Sequence, residues 1–555
     1  HILVYVFDLL YKMYEEKGYQ KREIPSLILS KNLFGLDVDK RASQLAAFSL
    51  VMKARSVNPR FFSATYYVKP NVYEIWDSRG LFNIGYKQLL AETNVLSHDA
   101  IEDIEKLADS FRNAKTIGSL LKIKHMNWER IAETLDLLEN KVVYNIFNER
   151  LNSVGVRLIK KLVKQAQILS DKYDVMITNP PYIGISSMEE PVREYANTFY
   201  PNSKSDMFAM FMETEFVKTN GFLAMINMHG WMFLSSFEKL RRHLIDTQEI
   251  VTMAHLGARA FETIGGEVVQ TTAFVIRNVH LGGNGVYFRL VDSKDKENDF
   301  VNNLSNGGGG VLFIANAIKF TKIPGCSIAY WLSNIFYELF NNKQLSVYAD
   351  ARIGMVSGDN DRFLRLWHEI NWDKVSLGAT DFIQAFSTEK KWFPIQKGGG
   401  KRYWYGNLEY VINYENDGYE LKFKNSLNGR VKSHNYNGEK AFRYGITWNS
   451  IGTEDIVCRI SEKGFLHDAA GPLCTINNED DTTYFLTLLS SVVAKAIYKF
   501  INPTINFVPG TVLSLPVIID KKEKISPLAL LNIEISKNDW DSFETSWDFK
   551  KHPLI

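Results

Sequence analysis

With 555 residues, 45% of them hydrophobic and 23% charged, the chain exceeds one ordinary core and reads as two or three globular domains. Lys and Arg total 65 against 63 Asp and Glu, a near balance that neither supports nor excludes nucleic acid, so the placement of positive clusters matters more than their sum. No apolar run is long enough to cross a bilayer, no secretory signal opens the sequence, and Cys326, Cys458 and Cys474 are too far apart for a disulfide framework or a metal-ligand spacing; a reducing, cytoplasmic setting without membrane contact is expected.

Apolar residues at helical spacing (Val4, Phe7, Leu10, Tyr11, Tyr14) predict an amphipathic helix over residues 1–17. The sequence starts on His inside that pattern, so it is expected to begin within a domain. Residues 32–39 form a short apolar run closed by Asp37 and Asp39: a buried strand entering a loop. Strong helix formers follow over 40–55. A polar, helix-rich stretch runs to about residue 168 and contains Thr116 to Leu120, which reads as a strand end. Residues 173–178 are another apolar strand, running straight into Asn179-Pro180-Pro181-Tyr182. Two prolines forbid continuation of helix or sheet, so this is a loop at the strand's carboxyl end. Residues 206–219 read as a helix, 222–228 as a strand and 236–246 as a helix. Two further strands are expected at 250–256 and 267–277. The alternation predicts a doubly wound α/β fold over 1–345. A Gly/Asn-rich loop lies at 302–310. After residue 345 short strand-like runs, aromatics, Gly and Asn dominate, predicting a mixed α+β domain over 346–540 and a C-terminal extension over 541–555.

The tetrapeptide at 179–182 carries the clearest chemistry. An exocyclic amine on a nucleobase is a poor nucleophile because its lone pair is delocalised into the ring. Acceptors for its hydrogens return density to nitrogen. The Asn179 side-chain oxygen is one such acceptor. The Pro180 carbonyl, held by the rigid prolines, is the other, and Tyr182 offers a flat face to a base that has left the stack. The same four residues also serve as a plain turn; their placement at a strand end, where open α/β sheets bind ligands, favours the functional reading. Asp37 can accept hydrogen bonds from ribose hydroxyls, with Val38 beside it, although acids after strands are also frequent helix caps. Asp39, before Lys40-Arg41-Ala42, reads better as a helix cap than as a ligand.

The order of these segments resembles a known family. The acidic loop at 35–39, residues 117–120, Asn179 to Tyr182, residues 203–211 and residues 221–226 are similar to the gamma-class adenine-specific DNA methyltransferases. The match is closest to the PglX type of BREX phage-exclusion systems. It continues through residues 231–241, 265–274, 358–363 and 463–465. The resemblance implies a Rossmann-like methyltransferase sheet followed by a target-recognition domain. It implies methyl transfer from S-adenosylmethionine to adenine in double-stranded DNA, one adenine being flipped out, with other phage-defence proteins as partners. It assigns Asn179, Pro180, Pro181 and Tyr182 to the target adenine. Asp37, Val38, Ser119, Leu120 and Phe211 fall to the cofactor. The family's Gly-rich cofactor loop belongs just before residue 1 and is not in this sequence, so cofactor binding by these residues alone is expected to be weak. That leaves two rivals, a DNA-binding or defence scaffold without turnover and the methyltransferase part of a fused restriction-modification enzyme.

Cations interleaved with aromatics at Lys390-Lys391-Trp392-Phe393 and from Lys397 through Lys401-Arg402 to Tyr405 are candidates for DNA contact. Lys391, Lys401, Arg402, Arg362 and Arg443 are the candidate DNA-binding residues, with Arg365 as a further reader. Gly398-Gly399-Gly400-Lys401 lacks the spacing of a phosphate loop and reads as a flexible turn. The eleven histidines show no zinc spacing, and no metal is expected.

Overall fold

The computed structural model describes residues 1–83, 86, 90, 97–140, 146–261, 269–306, 310–424, 426–427, 430–436, 438–452, 456–502, 506–552 and 554. The chain divides into two compact units: residues 1–231 with 236–317, and residues 232–235 with 318–555.

The first unit is mixed α/β. Helix Ile2–Glu16 forms where the periodicity places it and buries Phe7. Strand β1, Phe34–Asp37, leads into helix Lys40–Val57. The Asp39 carboxylate caps that helix by accepting from Arg41 N at 2.6 Å and Ala42 N at 2.9 Å. These elements share an apolar cluster that includes Phe7, Ile28, Leu50, Phe61 and Val72. Strand β2, Asn71–Glu74, pairs parallel with β1, Asp37 opposite Glu74. At four residues with polar ends, β2 is too short to show a pattern inside a helix-rich stretch. The stretch read as a strand end is instead helix Ala114–Ile117 followed by a 3-10 turn Gly118–Leu120. Gly118 breaks the run at φ +69°, where a strand would need extended backbone.

Strands β3 (Tyr173–Thr178), β4 (Val217–Met228), β5 (Glu249–Gly257), β6 (Thr271–Arg277), β7 (Asn284–Arg289) and β8 (Leu312–Asn316) form one sheet in the order β3-β4-β6-β5-β7-β8. β3 is parallel to β4, β5 is parallel to β7, and β6 and β8 run against their neighbours. The carboxyl ends of β3, β4, β5 and β7 therefore share one edge. The predicted helix over 206–219 ends early, as Met207–Met212, because β4 already begins at Val217 and is longer than its apolar core suggested. Residues 262–268, which include the start of the strand predicted at 267–277 and part of the motif at 265–274, and residues 307–309 of the Gly/Asn-rich loop lie outside the described residues.

Among the described residues β1 pairs only with β2, and β3 only with β4, so each leaves an edge open. Their first residues meet: the Phe34 and Tyr173 rings lie 5.4 Å apart. Val175 and Ile177 of β3 are exposed, unusual for apolar residues of a parallel strand.

In the second unit, β9 (Ala349–Arg352), β10 (Leu364–Leu366), β11 (Trp392–Gln396), β12 (Tyr410–Asn413), β13 (Ser426–Leu427), β14 (Arg430–Val431), β15 (Gly445–Trp448), β16 (Cys458–Ser461), β17 (Leu466–His467) and β18 (Leu473–Ile476) are short. They form two four-stranded sheets, β10-β12-β11-β17 and β16-β15-β18-β9, and the ribbon β13-β14. The segment after helix Lys522–Trp540 is integrated rather than trailing. Trp547 stacks on Phe465 at 6.0 Å, and the Thr545 carbonyl accepts from Trp367 Nε1 at 3.0 Å.

Leu50 sits in the first unit's cluster with no exposure, whereas Phe48 on the same helix is 60% exposed. Leu50→Ala should cost ~2–5 kcal/mol of unfolding free energy through transfer and cavity terms. Phe48→Ala in this chain should stay within about 0.5 kcal/mol. Denaturant unfolding of the two variants checks both.

Candidate functional site

β3 delivers Asn179 to the sheet edge. Asn179 and Pro181 are exposed, Pro180 is buried and Tyr182 is half-buried. The buried proline anchors the turn, and its missing N–H leaves no donor to satisfy. Tyr182 Oη donates to Asn179 Oδ1 at 3.5 Å, the outer limit of a hydrogen bond, so that oxygen keeps most of its accepting capacity. The Tyr182 ring meets Phe208 edge-on at 6.0 Å and 88°, and Phe208 touches Phe237 at 5.6 Å. Burial raises the Tyr182 phenol above its ordinary value, which keeps it neutral and its face uncharged at physiological pH.

Asp206 holds the exit of this corner. Its Oδ1 accepts from Ile183 N at 3.1 Å and from Phe208 N at 3.3 Å. It thus caps helix Met207–Met212 and pins the residue after Tyr182 with the same oxygen. Met207 N donates back to the Ile183 carbonyl at 3.0 Å, and Ile185 N to the Ser205 carbonyl at 3.1 Å. Burial pushes the Asp206 carboxyl upward, against the backbone donors that favour its charged form. Asp206 is a functional residue without a role in the sequence expectations; the signal for it is an acid directly before an apolar helix.

A second group gathers at the end of β1. Asp37 is exposed. Its Oδ1 accepts from Asp39 N at 2.8 Å, and its carbonyl accepts from Ile75 N at 2.8 Å. Val38 is 46% exposed and lies against Gly118, where an added Cβ would come 3.2 Å from Val38 Cγ1. Lys115 clips the two segments together by pairing with Glu74 and reaching the Val38 carbonyl at 3.5 Å. Asp37, Val38 and Ser119 are therefore brought together, with Ser119 half-buried. The Leu120 side chain is buried and its carbonyl accepts from Tyr200 Oη at 2.7 Å. Phe211 is buried on helix Met207–Met212, on the Asp206 side of the unit.

At the carboxyl ends of β4 and β5, His229 Nδ1 and His255 Nε2 share a hydrogen bond of 2.9 Å. Burial lowers both rings, to about 4 and about 3 respectively, so both are neutral at pH 7. Nothing in the sequence spacing announced this pair. Among the described residues no group of three or more His, Cys, Asp or Glu is arranged to hold a metal ion.

In the second unit, Lys397, Gly398, Gly399, Gly400, Lys401 and Arg402 line a cavity of about 660 Å³ whose far wall includes Trp540 and Phe543. The glycine turn is well defined: Gly398 sits at φ +58°, and a Cβ there would come 2.8 Å from the Ala470 carbonyl. Arg402 pairs with Asp539 at 2.7 Å and lies 5.0 Å from the Trp540 ring centre. The other candidate cations stand apart from this cavity. Arg362 pairs with Glu420, and Lys391 lies 3.9 Å from Glu415. Arg443 is exposed, its Nε 3.4 Å from the Glu439 carbonyl. Arg365 donates to the Asp361 and Leu364 carbonyls at 2.5 and 2.6 Å. Exposed ion pairs such as those of Arg362 and Lys391 are worth little in water.

Comparison with known proteins places these sites in context. Residues 31–261 match the family model described as Eco57I restriction-modification methylase. All of this chain aligns with the adenine-specific methyltransferase PglX of Lacticaseibacillus casei (strain Zhang), 37% identical over 570 residues and covering 46% of that protein. It aligns equally completely with the adenine-specific methyltransferase BrxX of Escherichia coli O9:H4 (strain HS), 39% identical over 581 residues and again covering 46%. The chain thus spans about half the length of the curated relatives it matches. A nuclease-deletion mutant of the type ISP restriction-modification enzyme LlaGI, solved with a DNA substrate mimic, is similar in fold. Its TM-score is 0.50 at 12% identity, covering 96% of this chain and 43% of that one.

Asp206→Ala should speed exchange of the Ile183 and Phe208 amides roughly tenfold or more by freeing both donors, while Asp206→Asn, which keeps an acceptor oxygen, should change them far less. Hydrogen exchange read by mass spectrometry over residues 179–212 checks this.

Proposed function

We infer that this chain, a homologue over its whole length of the adenine-specific methyltransferases PglX and BrxX, carries the methyl-transfer centre of a site-specific DNA methyltransferase acting on the exocyclic amine of adenine in phage defence. The observation that carries this reading is the corner after β3: an exposed Asn179, a carbonyl on the buried Pro180 and a half-buried neutral Tyr182 at one sheet edge. An adenine leaving the duplex would lay its ring on Tyr182. Asn179 Oδ1 and the Pro180 carbonyl would accept its two amine hydrogens, returning lone-pair density to nitrogen. Fixed acceptors cost no reorganisation when the reaction occurs, so orientation supplies much of the rate.

S-adenosylmethionine, when bound, supplies an electrophilic methyl group. Asp37 would hold its ribose hydroxyls, and Val38, packed on Gly118, its adenine face; the exposed acid and the half-exposed apolar Val38 suit those groups. Ser119 lies close by, while Leu120 and Phe211 would act from the core behind. For the methionine part we propose a further strand and Gly-rich loop between β1 and β3. The open edges of these strands, the contact of Phe34 with Tyr173 and the exposed Val175 and Ile177 support that placement. With the slot filled, β2-β1 and β3-β4-β6-β5-β7-β8 would be one Rossmann-like sheet, ligands sitting at its carboxyl edge. DNA would lie against the second unit as target-recognition domain. Lys401 and Arg402 are its best-placed cations, and Arg362, Lys391 and Arg443 would exchange their present partners for phosphates.

The open edges also favour a second reading, a scaffold that holds DNA without turnover. Titrating labelled S-adenosylmethionine separates the two. The longer protein should bind it and these 555 residues alone at least about tenfold more weakly; a longer protein that fails to bind supports the scaffold. In the longer protein Asn179→Ala should cut methyl incorporation by about 10²–10³-fold or more while DNA affinity persists. Undiminished incorporation of radiolabelled methyl would refute the assignment.

A further inference from the structure

Helices Ile2–Glu16 and Lys40–Val57 each carry two apolar faces. The inner faces, with Phe7, Leu50 and Ala54, meet in one cluster with Val72 of β2. The outer faces carry Tyr5, Leu9 and Met13 on one helix and Leu45, Phe48 and Met52 on the other, 46–75% exposed. The spacing is four and four residues on the first helix, three and four on the second, so each set is one continuous stripe directly opposite the core. The helices are tied side by side by Lys53 and Asp8 at 2.8 Å, and the stripes flank that pair.

An outward stripe on a surface helix of a globular protein is normally polar. Single exposed apolar residues need no explanation, but two adjacent stripes of large side chains make a plate of the kind that marks an interface. β1 lies on the core side of helix Ile2–Glu16, where an added Cβ at Gly35 would come 3.2 Å from Leu3 Cδ1, so the plate is on the side of the helices turned away from the sheet.

We propose that this plate is the seat of a packed segment from the same polypeptide outside these 555 residues, joined through Tyr5, Leu9, Met13, Leu45, Phe48 and Met52. The relatives aligned along this whole chain are more than twice its length, since it covers 46% of each, so chain of the required bulk exists in proteins of this kind. Removing six large apolar side chains from water favours docking, and a segment tethered to the same chain needs a smaller contact area than a separate partner because its effective concentration is high. The proposal does not depend on methyl transfer and is tested without measuring it.

A photo-crosslinking phenylalanine analogue is placed at Phe48 in the longer protein, with the same analogue at exposed Ile335 as control. Crosslinks from position 48 should reach peptides of the same molecule that lie outside these 555 residues, at a yield independent of protein concentration. Crosslinks to a second copy, rising with concentration, or none above the Ile335 control, would overturn the proposal. Leu9→Cys gives an independent reading, since native Cys326, Cys458 and Cys474 are all buried. In the folded longer protein it should react with maleimide roughly tenfold or more slowly than Ile335→Cys; equal rates contradict a covered plate.

Discussion

The functional reading rests on one mechanical constraint: a strand that must stop. β3 runs parallel to β4 up to Thr178, and two consecutive prolines then remove the donors and fix the dihedrals that a continuing strand would use. The chain turns at the sheet edge with Pro180 buried and Asn179 outside. A carboxamide and a carbonyl are thereby held in place at the cost of a turn. The Asp206 carboxylate completes the constraint by accepting from both Ile183 and Phe208, so the corner is fixed at both ends and the Tyr182 ring is braced by Phe208.

The chemistry suits such a corner. Delocalisation, rather than protonation, makes an aromatic amine unreactive, so acceptors in fixed positions do more for it than a general base. A buried ionised group here would carry a desolvation cost and attract counter-ions. The neutral Tyr182 and the neutral His229–His255 pair add no charge at the carboxyl edge of the sheet, and the Asp206 carboxyl that braces the corner is held by two backbone amides. Exposed Asp37 sits at the end of β1, where an acid suits hydroxyl groups.

Much of this was legible in the sequence because its signals are local. A proline pair, an acid before Lys40-Arg41-Ala42, an apolar periodicity over 1–17, helix formers over 40–55 and an apolar run over 173–178 each report on a few consecutive residues. What escaped depends on distant partners. β2 is defined by pairing with β1, not by its own four residues. The Gly118 turn is understood only when Val38 is seen against it. Asp206 acquires its role from Ile183, twenty-three positions away, and His229 meets His255 only because β4 and β5 both flank β6. The glycine turn at 398–400 was recognised as a turn, but its place on a cavity wall needed the C-terminal aromatics Trp540 and Phe543.

The most direct test is a structure of the longer protein with S-adenosylmethionine and DNA containing its methylation site. The account predicts one adenine outside the duplex, stacked on Tyr182, its amine nitrogen within about 2.6–3.2 Å of both Asn179 Oδ1 and the Pro180 carbonyl oxygen. An adenine that stays stacked in the duplex, or one flipped into a pocket that Asn179 does not line, would contradict it.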